Sequence, residues 1–331
     1  MTTTVATARS TVEIRGARTD DFDGMARVFA ACSAVDGYDT IRSGDQLRDG
    51  ITGFPGIVLD EQVHVATAGD QLVGYAFGAV NGQDGADGRT LWHEGQVMPE
   101  WRGRGIGRRL LAAAQEAARR HGDRRFGSAS GGSHFRTSVA EHAEPARLLL
   151  EHDGYAVVRY IVAMVRPSLD QPPSPELPAG LEARPATPET AIQILRAADE
   201  AFQDHWGAHE ETDADFQAMT DHPLAGQLDV WQVAWDGNEV AGGVLGFIND
   251  EENRALGRRR GYTEGIFTRR PWRGRGVATA LIGRNLRLLA ERGMTEAALT
   301  VDAENLTGAL GLYRRVGFEP RRTNLVFERQ A

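Results

Sequence analysis

The most constraining feature of this 331-residue chain is an internal duplication. Three segments of the first half recur in the same order in the second half, 163 to 171 residues later: 99–111 with 271–282, 69–78 with 236–246, and 146–155 with 309–318. Solenoid repeats are only about 20 to 50 residues long, so a period of this length is typical of duplicated domains. The sequence therefore predicts two copies of one architecture.

A proline-rich segment separates the two copies. Five of the fourteen residues of 167–180 (PSLDQPPSPELPAG) are proline. Because proline fixes φ and has no N–H to donate, this segment is predicted to be a semi-extended linker. The predicted domains are therefore 1–166 and 181–331, and each is long enough to bury a core.

The composition excludes several classes of protein. The net charge of −9 argues against general affinity for nucleic acid or anionic membranes. All 37 basic residues are arginine, which excludes a Schiff-base lysine and the lysine of a P-loop NTPase. The single cysteine, Cys32, allows no intramolecular disulfide and is expected in the core. No leader-like or membrane-spanning stretch is visible, so we expect a cytoplasmic protein without a membrane partner.

Hydrophobic periodicity and turn residues predict the same element order in both halves: strand, helix, two or three strands, glycine-rich turn, long helix, strand, helix and strand. Thr19 and Thr187 are candidate helix N-caps, and Asp236–Gly237 is a candidate hairpin turn. The long helices are predicted at 105–121, ended by Gly122, and at 276–292. In the second half the predicted strands include 230–235, 239–248 and 261–268, and the last three elements are 297–301, 306–316 and 318–328. The predicted fold class is α/β (α+β), with a mixed, mostly antiparallel sheet flanked by helices in each domain.

A glycine-rich turn precedes each long helix: RGRGIG at 102–107 and RGRGVA at 273–278. Glycine lets the backbone approach a ligand closely, and a helix N-terminus offers free N–H groups that bind pyrophosphate. A P-loop is excluded because there is no lysine. A dinucleotide site fits poorly because Arg108 and Thr279 stand where the third glycine belongs, after strands that are predicted antiparallel.

The pattern R-x-x-G-x-G/A, after a strand and a Pro-Trp pair, resembles the acyl-CoA signature of the GNAT superfamily of N-acetyltransferases. The resemblance covers both halves and is strongest over 262–318. The tandem arrangement is similar to that of the mycothiol synthase relatives in this superfamily. It implies direct transfer of an acetyl group from acetyl-CoA to an amine in a ternary complex, without a metal.

The resemblance also implies which residues bind acetyl-CoA. In the second half they are Ile266, Phe267, Thr268, Arg273, Gly274, Arg275, Gly276, Val277, Ala278, Thr279 and Asn305. The matching candidates in the first half are Val97, Arg102, Gly103, Arg104, Gly105, Ile106 and Gly107. Whether the first half binds coenzyme A stays open.

Two residues match the catalytic positions of the family. Glu264 is expected to deprotonate the amine, usually through water, and Tyr313 to protonate the departing sulfur. A phenol with a pKa near 10 is a suitable proton donor to a developing thiolate. The structural alternatives are a salt-bridged strand carboxylate for Glu264 and a packed helix tyrosine for Tyr313.

The expected acceptor is a primary amine of a small molecule. His205 and Trp206 are candidate substrate contacts, with a core tryptophan beside a surface histidine as the alternative. An antibiotic amine, a cysteine-bearing thiol precursor and a peptide α-amine all stay open, as does the choice between monomer and homodimer. The rival functions are a non-enzymatic acyl-CoA sensor and a transferase that uses another acyl donor.

The first half lacks the expected catalytic pair. Aligning its last helix with that of the second half places Leu150 at the position of Tyr313 and His142 at that of Asn305. His93 falls opposite Glu264, with Glu94 beside it. We therefore expect residues 1–166 to be catalytically silent.

Overall fold

The computed structural model describes residues 11–80, 88–129, 132–206, 208, 210–304 and 308–331. The strands of the first half are β1 (Val12–Gly16), β2 (Val63–Ala68), β3 (Gln71–Ala79), β4 (Arg89–Val97), β5 (Ser133–Ala140) and β6 (Ala156–Arg166). Its helices are α1 (Phe22–Asp36), α2 (Gly44–Thr52), α3 (Leu59–Gln62), α4 (Ile106–Phe126) and α5 (Glu144–His152).

The second half contains eight strands in its described part: β7 (Glu182–Arg184), β8 (Gln232–Asp236), β9 (Glu239–Val244), β10 (Phe247–Ile248), β11 (Arg260–Tyr262), β12 (Phe267–Thr268), β13 (Glu296–Asp302) and β14 (Glu319–Gln330). Its helices are α6 (Pro188–Phe202), α7 (Asp213–Asp221), α8 (Asp250–Leu256), α9 (Val277–Glu291) and α10 (Ala309–Arg315). The predicted mixed α/β class is confirmed.

The strands form two sheets. The larger has ten strands in the order β1-β2-β3-β4-β5-β14-β6-β13-β11-β10, and the smaller has the order β12-β9-β8-β7. Two neighbouring pairs are parallel, β4 with β5 and β11 with β13, and the remaining pairs are antiparallel. The predicted mostly antiparallel sheet is therefore correct, but one sheet runs through both halves.

The last strand of each half lies against the other half. β14 inserts between β5 and β6, and β6 pairs with β13. The cores are exchanged in the same way. Met164 of β6 is fully buried in the core of the second half, and Leu325 and Phe327 of β14 belong to a core cluster of the first half.

Several local predictions are confirmed. Thr187 caps α6, and the Asp236–Gly237 turn joins β8 to β9 with Gly237 at φ 56°. Gly293 follows α9 with φ 81°, in the left-handed region that favours glycine. Cys32 is fully buried.

Other local predictions are wrong. Gly122 does not end a helix, since α4 continues to Phe126 and is capped by Gly127. Gly122 is needed for close packing instead, because a Cβ there would lie 2.9 Å from the Arg89 side chain. The predicted strands 239–248 and 261–268 are each broken in two, since their ends join different sheets.

Polar contacts also join the two halves, beside the exchanged strands. Arg125 in α4 pairs with the buried Asp215 in α7 at 3.1 Å. Asp39, just after α1, accepts hydrogen bonds from Arg258 and Arg260 at 2.5 and 2.6 Å. Residues 167–180 also pack closely, since a Cβ on Gly283 in α9 would lie 2.4 Å from the carbonyl oxygen of Pro173.

We expect Phe327→Ala to destabilise the first half although the residue comes from the end of the second. Removing this fully buried ring should lower the free energy of unfolding by about 3 to 5 kcal/mol in chemical denaturation. The control is Leu148→Ala, at an exposed position of α5, with an expected change within about 0.5 kcal/mol. Equal effects of the two changes would contradict the exchanged core.

Candidate active site

The site lies where one strand of the second half divides between the two sheets. β11 pairs with β13 as far as Tyr262 opposite Ala298, whereas β12 pairs with β9 in the smaller sheet. The chain changes sheets over residues 263–266, with Gly265 at φ 55°. We call this break the fork. The strand predicted over 261–268 is therefore interrupted at the site, and Glu264 lies in the break and not in a strand.

The first half has no such break in the corresponding strand. Aligning Arg102 with Arg273 places Glu94 at the position of Gly265. A positive φ is costly for a residue with a side chain, and β4 runs unbroken from Arg89 to Val97. The two copies therefore differ in backbone path at this position.

A cleft of about 500 Å³ opens at the fork. It lies between β12, the start of α9, the end of α6 and helix α10. The residues that line it are Ala201, Phe202, His205, Ile266, Phe267, Thr268, Trp272, Arg273, Gly274, Gly276, Val277, Ala278, Thr279, Ala309, Leu312 and Tyr313. Most of the predicted acetyl-CoA contacts thus come together in one place.

The glycine-rich turn presents open backbone to this cleft. Gly274 and Gly276 have φ values of 71° and 90°, and no atom lies within 4 Å of where their Cβ atoms would be. α9 begins at Val277, so the N–H groups of its first turn point toward the turn without helical partners. This arrangement suits an anionic group such as a pyrophosphate.

The two arginines of the turn differ in their contacts. Arg273 is a clamp: it donates to the Thr268 carbonyl at 2.9 Å, to the Ala201 carbonyl at 3.0 Å and to Asp204 at 2.6 Å. Asp204 also pairs with Arg270, and these two cations hold the pKa of Asp204 far below its usual range. Arg275 is exposed and has no ion-pair partner among the described residues. Arg275 is therefore the unpaired arginine of this turn in the described part of the chain, although it is not among the residues that line the cleft.

The matching arginines of the first half are both used internally. Arg102 forms a bidentate pair with Asp36 at 2.7 and 2.8 Å and donates to the Val97 carbonyl. Arg104 stacks on Trp101 at 4.6 Å and donates to the Glu100 carbonyl. The turn itself is kept, with Gly103 and Gly105 at positive φ and Ile106 and Gly107 starting α4.

Glu264 is half-buried at the fork and forms no ion pair with any described residue. Its carboxylate accepts hydrogen bonds from the backbone N–H of Thr300 at 2.9 Å and from the Thr300 hydroxyl at 3.2 and 3.3 Å. Burial raises the pKa of Glu264 to about 8, against the opposing effect of the Thr300 donors. A carboxyl with this pKa can take up and release a proton near neutral pH.

Tyr313 lies in α10, on the wall of the cleft. Burial, with the nearby charge of Glu264, raises the pKa of Tyr313 above its usual value. Its hydroxyl forms no hydrogen bond with a described residue, and its ring packs edge-on against Phe318. The phenol therefore keeps its proton and faces the cleft without a partner.

β12 forms the floor of the cleft. Phe267 is buried and packs against Phe202, with ring centroids 6.3 Å apart. Thr268 lines the cleft, and its hydroxyl is buried without a hydrogen-bond partner in the described residues. A two-residue strand with one side paired to β9 leaves its other side to a ligand.

The two candidate substrate contacts separate in space. His205 lines the cleft and packs against Phe202 at 5.0 Å, and burial lowers the pKa of the imidazole. Trp206 is not among the lining residues. It stacks between Arg136 and Arg159 of the first half, 4.0 and 5.0 Å from its ring. Asn305 lies outside the described residues.

Sequence reasoning missed two residues of this site, Thr300 and Asp204. Thr300 is recognisable only when β13 is placed beside the fork, because its partner Glu264 is 36 residues away. Asp204 had a signal: Asp36 ends α1 and Asp204 lies two residues after α6, and each pairs with the first arginine of its turn.

In the first half, the position equivalent to the fork holds three buried polar side chains that contact one another. His93, the counterpart of Glu264, is buried, and burial lowers the pKa of its imidazole to about 3. His93 is 2.7 Å from the hydroxyl of Tyr155, which accepts a hydrogen bond from Gln115 at 2.9 Å. The backbone bond from Tyr155 to Leu150 matches that from Phe318 to Tyr313, which supports the alignment of Leu150 with Tyr313.

Known proteins match both halves. Residues 192–318 match the family described as "Acetyltransferase (GNAT) family", and residues 59–157 match "Acetyltransferase (GNAT) domain". A mycothiol acetyltransferase of Cellulomonas flavigena is 33% identical over 77% of this chain and 70% of its own length. That of Mycolicibacterium vanbaalenii is 30% identical over 76% of this chain and 78% of its own.

The chain belongs to the GNAT family of acetyltransferases. The structure of a GCN5-related N-acetyltransferase from Sphaerobacter thermophilus superposes with a TM-score of 0.72 at 26% identity, covering 96% of this chain and 95% of that one. A tandem GNAT protein from the clavulanic acid biosynthesis pathway shares the fold, with a TM-score of 0.69 at 17% identity over 97% and 98% of the two chains. The tandem GNAT organisation and the acetyltransferase class expected from the sequence are confirmed.

Two further findings concern the rest of the described chain. Among the described residues, no group of three or more histidine, cysteine, aspartate or glutamate side chains is placed to hold a metal ion. No helix in the described ranges has the length and apolar character needed to cross a membrane.

The pKa of Glu264 predicts how stability depends on pH. The folded-state pKa of about 8 exceeds the ordinary value of 4.5, so the folded state holds more protons between these pH values. The free energy of unfolding should therefore fall as pH rises from 5 to 8. Glu264→Gln should remove this contribution and melt roughly 2 to 6 °C higher than the wild type at pH 8.5. Parallel pH dependences of the two melting temperatures would contradict the assignment.

Proposed function

We propose that this acetyltransferase transfers the acetyl group of acetyl-CoA directly to the primary amine of a small molecule, in the cleft of the second half. The observation that carries the proposal is that the N-terminus of α9 and Tyr313 line one cleft, with the carboxyl of Glu264 at the fork close enough to Tyr313 to raise the pKa of its phenol. The residues present fit the donor, since the turn is open, Arg275 is free and the Thr268 hydroxyl lacks a partner.

Glu264 accepts the proton of the acceptor ammonium. Its elevated pKa is closer to that of an alkylammonium than an ordinary carboxyl pKa is, so the proton transfer is less uphill. The neutral amine can then attack the carbonyl carbon of the thioester. As the new C–N bond forms and the C–S bond breaks, Tyr313 donates its proton to the sulfur. The nitrogen then loses its extra proton to solvent, solvent reprotonates Tyr313, and Glu264 releases to solvent the proton that it took from the ammonium.

The carboxyl of Glu264 and the hydroxyl of Thr300 favour a polar, cationic acceptor. Asp302 lies further along the same strand and is paired with Arg159 of β6, 4.0 Å away. The name of the relatives, mycothiol acetyltransferase, makes the amine of a cysteine-bearing thiol precursor the first acceptor to test.

We also propose that the first half is catalytically silent and that each chain binds one acetyl-CoA. Three contrasts with the second half support this. Leu150 stands in place of Tyr313, His93 is buried in place of Glu264, and Arg104 is occupied where Arg275 is free. Helices α4 and α5 of the first half also lie close together, since a Cβ on Gly107 in α4 would lie 3.2 Å from Leu149 in α5.

A matched pair of substitutions tests the donor site. Gly276→Glu places a carboxylate at the predicted pyrophosphate site of the second half, and Gly105→Glu makes the same change at the equivalent N-cap of the first. Both glycines have positive φ and open surroundings, so the backbone strain is comparable. By calorimetry we expect one site per wild-type chain, at least 100-fold weaker binding for Gly276→Glu and little change for Gly105→Glu.

The same variants are then assayed for acetyl transfer to a panel of amines that includes a cysteinyl-amine thiol precursor. Turnover should be lost in Gly276→Glu and kept in Gly105→Glu. Two binding sites, or equal losses in both variants, would contradict the division of labour between the halves. Tight binding without turnover on any amine would favour a sensor.

A further inference from the structure

The carboxylate of Glu264 is held by a single residue. Among the described residues, the hydrogen bonds that it accepts all come from Thr300, from the backbone N–H and from the hydroxyl. Thr300 is exposed and does not contribute to a hydrophobic core cluster. Its side chain is therefore available for a polar role at the cleft.

The fork explains why the N–H of Thr300 is free. On that side, β13 pairs with β11 as far as Ala298, whose carbonyl accepts the N–H of Thr263. Beyond this point β12 has left for the other sheet, so Thr300 faces no strand. The Glu264 carboxylate takes the place of the missing strand as acceptor.

On the edge of β13 away from the fork, Thr300 is paired with a strand of the first half. β13 pairs with β6 along six residues, and Thr300 lies opposite Ala163. This register decides which residue of β13 points its N–H into the fork. A shift by one residue would turn the hydroxyl to the opposite face of the sheet.

We propose that Thr300 is the positioning residue for Glu264, and that the last strand of the first half holds Thr300 in register. The inference rests on the proposed function in that it takes Glu264 as the base. It assigns the first half, which lacks a catalytic pair of its own, a structural contribution to the active site of the second.

The surroundings of Glu264 predict how the hydrogen bond from Thr300 affects the pKa of its carboxyl. Hydrogen bonds to a carboxylate favour its charged form, whereas burial favours the neutral form. The ionisable group that faces Glu264 from α10 is Tyr313, which stays protonated at neutral pH. Removing the Thr300 hydroxyl should therefore raise the pKa of Glu264 further.

The test compares Thr300→Val with Thr300→Ser in the full-length protein. Valine keeps the β-branched shape and the backbone N–H but lacks the hydroxyl, and serine restores it. Carboxyl-carbon NMR of protein labelled at glutamate follows the titration, with Glu264→Gln identifying the signal. We expect the pKa of Glu264 to rise by about one unit in Thr300→Val, a tenfold change in ionisation, and to return to within about 0.3 units in Thr300→Ser.

The kinetic readout follows the same pattern. The alkaline rise of kcat/KM should move upward with the carboxyl titration in Thr300→Val, while the KM for acetyl-CoA stays within about twofold. A Glu264 pKa that is the same in wild type and Thr300→Val would overturn the proposal. The NMR titration needs no substrate, so it decides this inference whether or not the protein is active. A protein that acetylates no tested amine would refute the proposed function alone.

Discussion

The active site depends on one break in a strand. Gly265 takes a left-handed conformation and the chain passes from the larger sheet to the smaller one, which opens the cleft and leaves the N–H of Thr300 without a strand partner. Glu264 fills that vacancy by accepting this hydrogen bond, and its carboxyl is the group that we propose as the base. The first half carries Glu94 at the position of Gly265, keeps a continuous strand and buries His93 where the base would stand.

The exchange of the last strands makes the two halves one folding unit. β14 supplies Phe327 to a core cluster of the first half, and β6 supplies Met164 to that of the second. Removing the first half would leave β14 without either neighbour and β13 paired on one side only, with β11. This dependence gives a physical reason for the first half to be kept, and it also places β6 directly beside the strand that carries Thr300.

The sequence predicted what local chemistry decides. The duplication, the glycine-rich turns, the Thr187 cap and the Asp236–Gly237 hairpin all follow from neighbouring residues. It did not predict the exchanged strands, the fork or the role of Thr300, because these depend on pairing between distant segments. Gly122 shows the same limit. Its local sequence predicts the end of a helix, but the Arg89 side chain that packs against it comes from β4. The bonds from Arg273 to Asp204 and to the Ala201 carbonyl likewise join distant segments, whereas its place in the cleft agrees with its position in the turn.

The central claim is that Glu264 and Tyr313 move the protons of acetyl transfer. The most direct measurement is the pH dependence of kcat/KM for transfer to an accepted amine, in the wild type, Glu264→Gln and Tyr313→Phe. Our account predicts a wild-type rate that rises with a midpoint near pH 8, a loss of that rise in Glu264→Gln, and a kcat reduced about 100-fold in Tyr313→Phe with unchanged acetyl-CoA affinity. Wild-type rates and pH profiles in both variants would contradict it.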